Sequence, residues 1–380
     1  MKKICFITTI PLTLQAFVLT TAEYLHENTD YEITFICDYD KDFENSLPDY
    51  IRYIPVTMKR GISPSGVKAV LEMAKIFKRE KFDMIQYSTP NASFYAAIAG
   101  KLAKIKVRLY CQWGIAYVGF EGIKRWIFKV IEKTVCRLST WIEPDSFGNL
   151  AFSHREKLYP KEKGSVIGRG SACGVNLEKF DYSKKDGLRS EIRNKYSIPE
   201  TAFVFGYVGR ITRDKGVNEL LKAYKYLHSQ YSDTYLLMVG PEECDGTVDE
   251  SLFVWSKECS RVIYSGFTNE VEKYLSAMDT YLLPSYREGF GMGVVEAEAM
   301  GVPAIVTNIP GPTDAVLDGK TGLIVEKKNV NDLFAAMEKL MTDKDLRNSC
   351  SECARVYVSE NFEQKTFLVE VLKDRKKLLS

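Results

Sequence analysis

Along the first 112 residues, short apolar runs alternate with longer segments in which apolar positions recur at helical spacing. A short apolar run bounded by turn residues predicts a buried strand, and apolar positions three and four apart predict a helix that packs one face on a core. The predicted strands are residues 3–9, 31–38, 52–55, 82–87 and 107–112, and the predicted helices are residues 14–26, 66–81 and 92–104. This alternation predicts an α/β domain with a parallel sheet.

The same alternation begins again at residue 203, after a charged stretch at residues 181–196. The run 203–208 predicts a strand followed by a helix from Val217, and the run 281–283 predicts a strand followed by a helix that closes at Gly301. We therefore predict two α/β domains, at residues 1–180 and 201–357, with a linker at 181–200 and a final helical segment at 358–380.

The stretch 281–301 places a glycine-rich turn between a buried strand and a helix. Such a turn presents backbone N–H groups and the positive end of the helix dipole, and glycine lets a ligand approach the backbone closely. Glu288 lies on the loop and Glu296 lies about two helical turns further on, so both can face one cleft. The candidate anion-binding positions are Gly289, Phe290, Gly291, Met292 and Gly293.

The pattern alone leaves two other interpretations of this turn. It can be an ordinary strand–helix turn with both glutamates in water. It can also be a dinucleotide-binding fingerprint, because Gly289-x-Gly291 fits the spacing. A dinucleotide site needs an acidic residue at the end of the next strand, whereas the strand at 304–307 leads to Asn308. The sequence therefore disfavours a dinucleotide site.

A second loop of similar character follows the strand at 203–208. It runs from Gly209 to Gly216 and carries three cations, Arg210, Arg213 and Lys215. Arginine offers a planar fork of donors and lysine a mobile point charge, so the loop is suited to phosphate. A solvated loop is the alternative, but two anion-directed loops in one predicted domain favour a binding site.

Composition excludes several classes of protein. With 380 residues, 45% of them hydrophobic, the chain can fill the cores of two domains, and a net charge of +2 argues against a protein dedicated to nucleic acid. Nine cysteines fit a reducing cytosol, and the lone pair Cys350 and Cys353 is interpreted as incidental. The N-terminus predicts a strand broken at Pro11 rather than a signal peptide, and no apolar run reaches about 18 residues. We expect a cytoplasmic chain that is at most peripheral to a membrane.

Two basic amphipathic helices bear on membrane contact. In residues 123–138, apolar positions recur at helical spacing while lysines and arginines occupy the other faces. Packing of the apolar stripe on the sheet is the favoured interpretation, and a membrane surface is the alternative, with the basic face attracting lipid phosphates. The segment 361–379 also predicts a helix whose basic residues can approach lipid: Lys373, Arg375, Lys376 and Lys377.

Taken together, the motifs resemble a known family. They are Gly209-Arg210-x4-Lys215-Gly216 and Glu288-Gly-Phe-Gly-Met-x2-Val295-Glu296-Ala-x-Ala299-x-Gly301. This combination is similar to the family 4 retaining glycosyltransferases of bacterial capsule, lipopolysaccharide and exopolysaccharide biosynthesis. The resemblance spans essentially the whole chain and is strongest from residue 203 to residue 326.

The resemblance implies the α/β fold called GT-B, with two Rossmann-like, doubly wound parallel-sheet domains that face a central cleft. The domain at 1–180 would bind the acceptor and the domain at 201–357 the nucleotide sugar. The segment at 358–380 would form a helix that crosses back to the N-terminal domain.

The resemblance also implies roles for the loop residues. Arg210 and Lys215 would hold the donor diphosphate and offset charge as the nucleotide departs. Glu288 would lie near the transferred sugar, and Glu296 would bind the ribose hydroxyls. Gly209 and the backbone from Gly289 to Gly293 would complete the donor site. No cofactor and no metal is expected.

One departure from the family pattern lies in the N-terminal half. Related enzymes often carry a histidine on a loop that meets the donor sugar, and the nearest equivalent here is Gln112-Trp113-Gly114. The candidate residues on the acceptor and sugar side are Trp113, Gly114 and His154.

The expected activity is retaining transfer of a sugar from a nucleotide-diphosphate donor, with UDP as first choice. A polyprenyl-diphosphate-linked saccharide is the expected acceptor, reached from an anionic membrane surface on the inner face of the cell membrane. Two alternatives stay open. One is a GT-B epimerase or hydrolase of nucleotide sugars, and the other is a non-catalytic protein that binds nucleotide or glycan.

Overall fold

The computed structural model describes residues 1–58, 65–243 and 246–380. The chain divides into two compact units: unit 1 contains Met1–Cys173 and Lys365–Ser380, and unit 2 contains Gly174–Gln364. Residues 181–200, assigned above to a linker, fall within unit 2.

Unit 1 is built on one parallel sheet of six strands. The strands are β1 Lys3–Ile7, β2 Glu32–Cys37, β3 Ile51–Pro55, β4 Met84–Tyr87, β5 Val107–Gln112 and β6 Trp141–Pro144. Their order across the sheet is β3-β2-β1-β4-β5-β6. Their near-continuous apolar character follows from burial on both faces, which is typical of parallel sheets.

Helices cover both faces of this sheet. They are α1 Pro11–Phe17, α2 Leu19–Asn28, α3 Lys41–Ser46, α4 Ser65–Glu80, α5 Pro90–Leu102, α6 Gly122–Leu138 and α7 Phe147–Arg155, with a 3-10 turn at Ala116–Gly119 and another at Lys161–Lys163. The core under α4, α5 and α6 is separate from the core under α1, α2 and α3. The single helix predicted at residues 14–26 is two helices that meet at Val18.

Helix α6 packs on the sheet along only part of its length. In its last turns Val135 and Cys136 are buried, as the packing interpretation expects. In its first turns Ile123 is 79% exposed and Trp126 is 66% exposed, and Val130 is also exposed. The expectation that the apolar stripe packs on the sheet is therefore wrong for the first half of the helix.

The last helix, α16 Gln364–Leu379, contributes its final turns to the core of unit 1. Arg375 is fully buried there and donates to Glu143 on β6, with its Nη2 2.9 Å from Oε1, and to Gln86 on β4, with its Nε 3.1 Å from Oε1. Burial alone would lower the pKa of Arg375, but the Glu143 carboxylate outweighs it and raises that pKa. The expectation that Arg375 approaches lipid is therefore wrong.

Unit 2 repeats the plan of unit 1. Its strands are β7 Phe203–Val208, β8 Thr234–Val239, β9 Val262–Gly266, β10 Thr280–Leu283, β11 Ala304–Thr307 and β12 Gly322–Val325. They are all parallel and lie in the order β12-β11-β10-β7-β8-β9.

Eight further α-helices surround this second sheet among the described residues. They are α8 Lys185–Lys195, α9 Val217–Gln230, α10 Glu250–Glu258, α11 Val271–Ala277, α12 Met292–Ala299, α13 Pro312–Ala315, α14 Val330–Thr342 and α15 Lys344–Asn361, with 3-10 turns at Tyr182–Lys184 and Arg213–Lys215. Helix α8 is tied to unit 2 through buried Arg193, whose guanidinium donates to the carbonyl of Ala277 and to Asp279.

The cysteines of the described residues are not cross-linked. Eight cysteines in the described ranges are free thiols; Cys244 lies outside those ranges. Cys350 is buried and Cys353 exposed. Within the described parts of the chain, each helix is too short or too polar to span a bilayer.

Candidate active site

The strand order of unit 2 creates a switch point between β7 and β10. The chain leaves β7 toward β8 on one side and later returns to form β10 on the other side. At such a point the loops that follow the two strands diverge and leave a crevice, which is where open α/β sheets bind ligands. These loops are residues 209–216, the arginine loop, and residues 284–291, the glycine loop.

Backbone contacts hold the two loops together. Gly216 has a φ of +73°, and a Cβ there would overlap the carbonyl oxygen of Pro284. The Tyr286 amide donates to the Asp214 carbonyl at 2.9 Å. Because a side chain at position 216 would force the loops apart, glycine is required for this approach.

An ion pair joins the loops at their centre. Lys215 Nζ lies 2.6 Å from Glu288 Oε1, and the same oxygen accepts from Ser285 Oγ at 2.7 Å. The two charged side chains are only 20% and 11% exposed. The pair is therefore partly shielded from water, which strengthens its electrostatic interactions.

Arg210 lies at the outer end of the same crevice. Its Nη1 is 3.0 Å from Glu243 Oε2, and its carbonyl accepts from the Tyr207 hydroxyl at 2.6 Å. Burial alone would lower the pKa of Arg210. Hydrogen bonding to Glu243 and the charge of Asp214 outweigh that effect and raise the pKa, so the guanidinium stays charged.

A second cross-loop ion pair was not anticipated from the sequence. Arg287 Nη2 lies 2.9 Å from Asp214 Oδ2, while Asp214 Oδ1 accepts from Thr212 at 2.6 Å. Burial would raise the pKa of Asp214, but the Thr212 hydroxyl and the Arg287 charge lower it overall. Asp214 and Arg287 lie on loops that follow two different strands, and one sequence does not show which side chains of two such loops pair.

Helix α12 begins at the glycine loop. Its N-cap residue is Gly291, in the left-handed conformation with a φ of +88°, which has no side chain to accept from the first-turn amides. Met292 and Gly293 form that first turn. Phe290 turns its ring into the core against Phe362, with ring centroids 5.1 Å apart, so only its backbone belongs to the loop.

Glu296 lies one turn further into α12 and is half-buried. Burial raises the pKa of its carboxyl to about 7, with Lys179 lowering it and Glu272 raising it. Lys179, which sequence reasoning did not single out, is held by the Asn269 carbonyl at 2.9 Å.

Unit 1 has its own switch point, between β1 and β4. Thr9 and Thr89 meet there, with their hydroxyl oxygens 2.8 Å apart, and the Thr9 amide donates to Thr89 Oγ1 at 3.1 Å. Thr89 has a φ of +67°, which is rare for a β-branched residue and is typical of functional sites.

The acceptor-side candidates of unit 1 separate into two places. Trp113 and Gly114 directly follow β5 at the carboxyl edge of the sheet, with Trp113 against Phe17 at 5.7 Å between ring centroids. His154 lies in the last turn of α7, against Tyr159, where its buried Nε2 has no hydrogen-bond partner among the described residues. The structure does not bring His154 to the loop of Trp113.

Gln112, the nearest equivalent of the family histidine, is buried. Its Nε2 donates to Glu132 Oε1 at 2.6 Å, and its Oε1 accepts from Ser153 at 2.9 Å. Burial raises the pKa of Glu132 to about 7, against the lowering effect of hydrogen bonds from Gln112 and Tyr110. Gln112 is thus part of a buried hydrogen-bond network, whereas Trp113 and Gly114 lie at the carboxyl edge of the sheet.

Comparison with known proteins identifies both units. Residues 189–357 match the family described as Glycosyl transferases group 1, and residues 3–143 match the family described as Glycosyl transferase 4-like. The two matches cover most of unit 2 and of unit 1.

Individual relatives extend over nearly the whole chain. The capsular polysaccharide biosynthesis glycosyltransferase CapM of Staphylococcus aureus is 30% identical over 88% of this chain and 84% of its own. The UDP-Gal:alpha-D-GlcNAc-diphosphoundecaprenol alpha-1,3-galactosyltransferase of Escherichia coli is 26% identical over 94% of this chain and 92% of its own.

Solved structures share the fold. Alr3699/HepE of Anabaena, in complex with UDP and glucose, superposes with a TM-score of 0.78 at 17% identity, covering 99% of this chain and 100% of its own. The predicted α/β class with two Rossmann-like parallel sheets is confirmed. The chain belongs to the family 4 GT-B glycosyltransferases of the surface-polysaccharide type.

Proposed function

We propose that this protein transfers a sugar, with retention of anomeric configuration, from a UDP-sugar to a saccharide carried on polyprenyl diphosphate. The observation that carries this proposal is the pinned pair of loops at the switch point of unit 2. It gathers Arg210, Lys215 and Glu288 beside the N-terminus of α12. Two cations and a helix N-terminus in one crevice suit the negative charge of a nucleotide diphosphate.

Arg210 and Lys215 act on the diphosphate in this proposal. In the structure each cation is paired with a carboxylate, Glu243 or Glu288. An incoming diphosphate displaces the two carboxylates, and its oxygens become the partners of Arg210 and Lys215. When the bond to the sugar breaks, negative charge grows on the departing nucleotide, and cations already in place stabilise it without rearrangement. This is the role that a metal ion plays in other enzymes, so we propose that no metal or other cofactor takes part.

The two glutamates of the E-x7-E motif take different tasks. Once Lys215 turns to the phosphates, Glu288 remains held by Ser285 and is available to the hydroxyls of the transferred sugar. Glu296 accepts from the ribose hydroxyls when ionised. Gly209, the backbone of Gly289 to Gly293 and the first turn of α12 approach the diphosphate.

The acceptor is assigned to the carboxyl edge of unit 1. Thr9 and Thr89 offer hydroxyls at the switch point, and Trp113 and Gly114 lie on a neighbouring loop of that edge. The relative from Escherichia coli supports a lipid-linked acceptor, because its name specifies a diphosphoundecaprenol substrate. We place the enzyme on the inner face of the cell membrane, held by the basic helix α6.

The test is transfer itself. The purified protein is incubated with a panel of radiolabelled UDP-sugars and GDP-sugars and a lipid extract from a strain lacking the gene, with and without EDTA. We expect one UDP-sugar to label the lipid fraction equally with and without EDTA, and NMR of the product to show the donor's anomeric configuration.

Each alternative has its own result. Free sugar or an isomerised nucleotide sugar without acceptor would indicate a hydrolase or epimerase. Binding of UDP with no product from any donor would indicate a non-catalytic protein. Loss of labelling in EDTA would contradict the metal-free mechanism.

Membrane contact is tested separately by sedimentation with vesicles. We expect the protein to pellet with phosphatidylglycerol vesicles at low salt and to be released at high salt, because surface charges are screened. Absence of pelleting at low salt would contradict the membrane assignment.

A further inference from the structure

An apolar pocket of about 400 Å³ opens among α4, α5 and α6 of unit 1. This volume lies in the range of small-ligand sites. Nearly all of its wall is hydrocarbon, and the side chains that matter most are Val70, Leu71, Phe94, Ile98, Phe128 and Ile131. The pocket plays no part in the chemistry described above.

The rim of the pocket continues onto exposed apolar residues. Val67 and Leu71 on α4 are both lining residues and largely exposed. On α6, the lining residues Phe128 and Ile131 are half-buried. Exposed apolar side chains at the mouth of an apolar pocket are typical of an interaction site.

The pocket adjoins the switch point of unit 1. Its lining includes Pro90 and Asn91, the first residues of α5. The residue before them is Thr89, whose hydroxyl contacts Thr9 at the switch point. One end of the pocket therefore lies at the carboxyl edge of the sheet, where the acceptor saccharide is assigned.

Cations lie on the helices that form the pocket. Lys68 on α4 and Lys124 on α6 are exposed, and Arg125 is half-exposed over the Tyr117 ring at 5.4 Å. An apolar pocket with cations around it is complementary to a lipid with an anionic head group.

We propose that this pocket holds the proximal part of the isoprenoid chain of the acceptor, an inference that rests on the proposed function. The pocket is recessed and begins at the edge where the saccharide binds, so it suits one chain attached to that saccharide. A bilayer would contact the exposed rim but not the interior. Chain length would thereby contribute to acceptor selection, independently of the saccharide.

A photoreactive probe tests the inference without donor or transfer. The full-length protein in detergent is irradiated with an isoprenyl diphosphate that carries a diazirine in the first isoprene units, and labelled peptides are mapped by mass spectrometry. We expect labels within residues 66–71, 91–98 or 128–131. Excess unlabelled isoprenyl diphosphate should reduce them at least tenfold, and the same excess of phosphatidylglycerol should not.

Variants that fill the pocket complete the test. Val70→Trp and Ile98→Trp are expected to lower labelling at least fivefold, while Val254→Trp, an exposed position on α10, should retain it. Circular dichroism and melting temperature establish that each variant is folded. One folded pocket variant is enough for the test. Labelling that matches wild type in a folded pocket variant would overturn the inference.

Two further results would also overturn it. One is labelling outside the three helices, and the other is equal competition by phosphatidylglycerol, which would identify bilayer lipid as the occupant. Transfer to a short-chain acceptor without pocket labelling would overturn the inference and leave the proposed function intact. Labelling of the pocket without transfer from any donor would contradict the proposed function and leave the binding of an isoprenoid chain intact.

Discussion

The two units have the same strand order but different chemistry at their switch points. In unit 2 the crevice is formed by glycine-containing loops that carry Arg210, Lys215 and Glu288. In unit 1 the corresponding crevice carries hydroxyls, with Thr9 against Thr89. Topology thus decides where a ligand binds, and the loop residues decide which ligand it is.

The difference follows the charge of the two proposed substrates. A diphosphate needs permanent cations and close backbone approach, whereas sugar hydroxyls need neutral donors and acceptors. Substitutions at one switch point at a time show whether the other switch point is affected.

The largest effect is expected from removing the cations of unit 2. Arg210→Ala or Lys215→Ala should lower kcat/KM for the donor by about 100-fold or more, since a group that offsets developing charge is lost. Steady-state kinetics with varied UDP-sugar measures this. Lys222→Ala, an exposed lysine on α9, is the matched control and should keep wild-type kinetics. Wild-type turnover in both loop variants would contradict the assignment.

The next effect is on the contact between the loops. Gly216→Ala forces a side chain into the left-handed region and against the Pro284 carbonyl, so the free energy of unfolding should fall by about 2 kcal/mol or more. Urea unfolding measures the loss, and UDP affinity should fall with it.

Gly187→Ala on α8 is the control for that substitution. A Cβ at position 187 meets no atom of the described residues within 4 Å, and alanine is favoured in a helix. Its stability should therefore equal or exceed that of wild type. Equal losses at both positions would show that the approach of the loops contributes nothing.

A smaller effect is expected from pH. Because the folded pKa of Glu296 is about 7, its carboxylate forms as pH rises from 6 to 8. A charged acceptor binds ribose hydroxyls more strongly by about 1 kcal/mol, so UDP affinity should rise about fivefold over this range. Calorimetry with wild type and Glu296→Gln isolates the contribution of Glu296 to UDP affinity, since the protonation of UDP itself affects both proteins equally. Identical pH profiles would contradict the role of Glu296.

The same titration has a consequence for stability. Between the unfolded pKa near 4.5 and the folded pKa of about 7, the folded state keeps a proton that the unfolded state has lost. The Glu296 contribution to stability is therefore fully present below pH 4.5 and is lost as pH rises to about 7. Glu296→Gln should remove this dependence from urea unfolding curves.

The smallest effect is expected at the switch point of unit 1. Thr9→Val removes the hydroxyl that contacts Thr89 and should raise the KM for acceptor about fivefold, because one hydrogen bond contributes about 1 kcal/mol. The KM for the donor should not change. Thr342→Val, which loses a local helix hydrogen bond in unit 2, is the control. A change in donor KM alone would indicate that this crevice does not bind the acceptor.

Much of the fold was predictable because short apolar runs specify buried parallel strands. Predicted strand ends agree with the structure to within two residues for β1 to β5 and β7. The arginine loop and the glycine loop were predictable as anion-directed because each lies between a strand and a helix. Their pairing was implied only by the family resemblance.

The remaining features depend on contacts between distant residues. Arg210 and Glu243 are 33 positions apart, and Arg287 and Asp214 are 73 positions apart. Periodicity shows which residues share a helix face but not what covers that face. For this reason the pattern could not separate the buried half of α6 from the half that exposes Trp126, and it placed Arg375 among the basic residues that can approach lipid.

The buried Arg375 also determines when unit 1 can be completed during synthesis. Its partners Glu143 and Gln86 belong to strands made early, but the helix that carries Arg375 follows them by more than 200 residues. At typical ribosomal rates, the roughly 200 residues that follow Cys173 take about 10 to 40 seconds to be added. Throughout that interval Glu143 has no arginine beside it. The nascent N-terminal region therefore stays incomplete until α16 has been made, although all six strands of its sheet already exist.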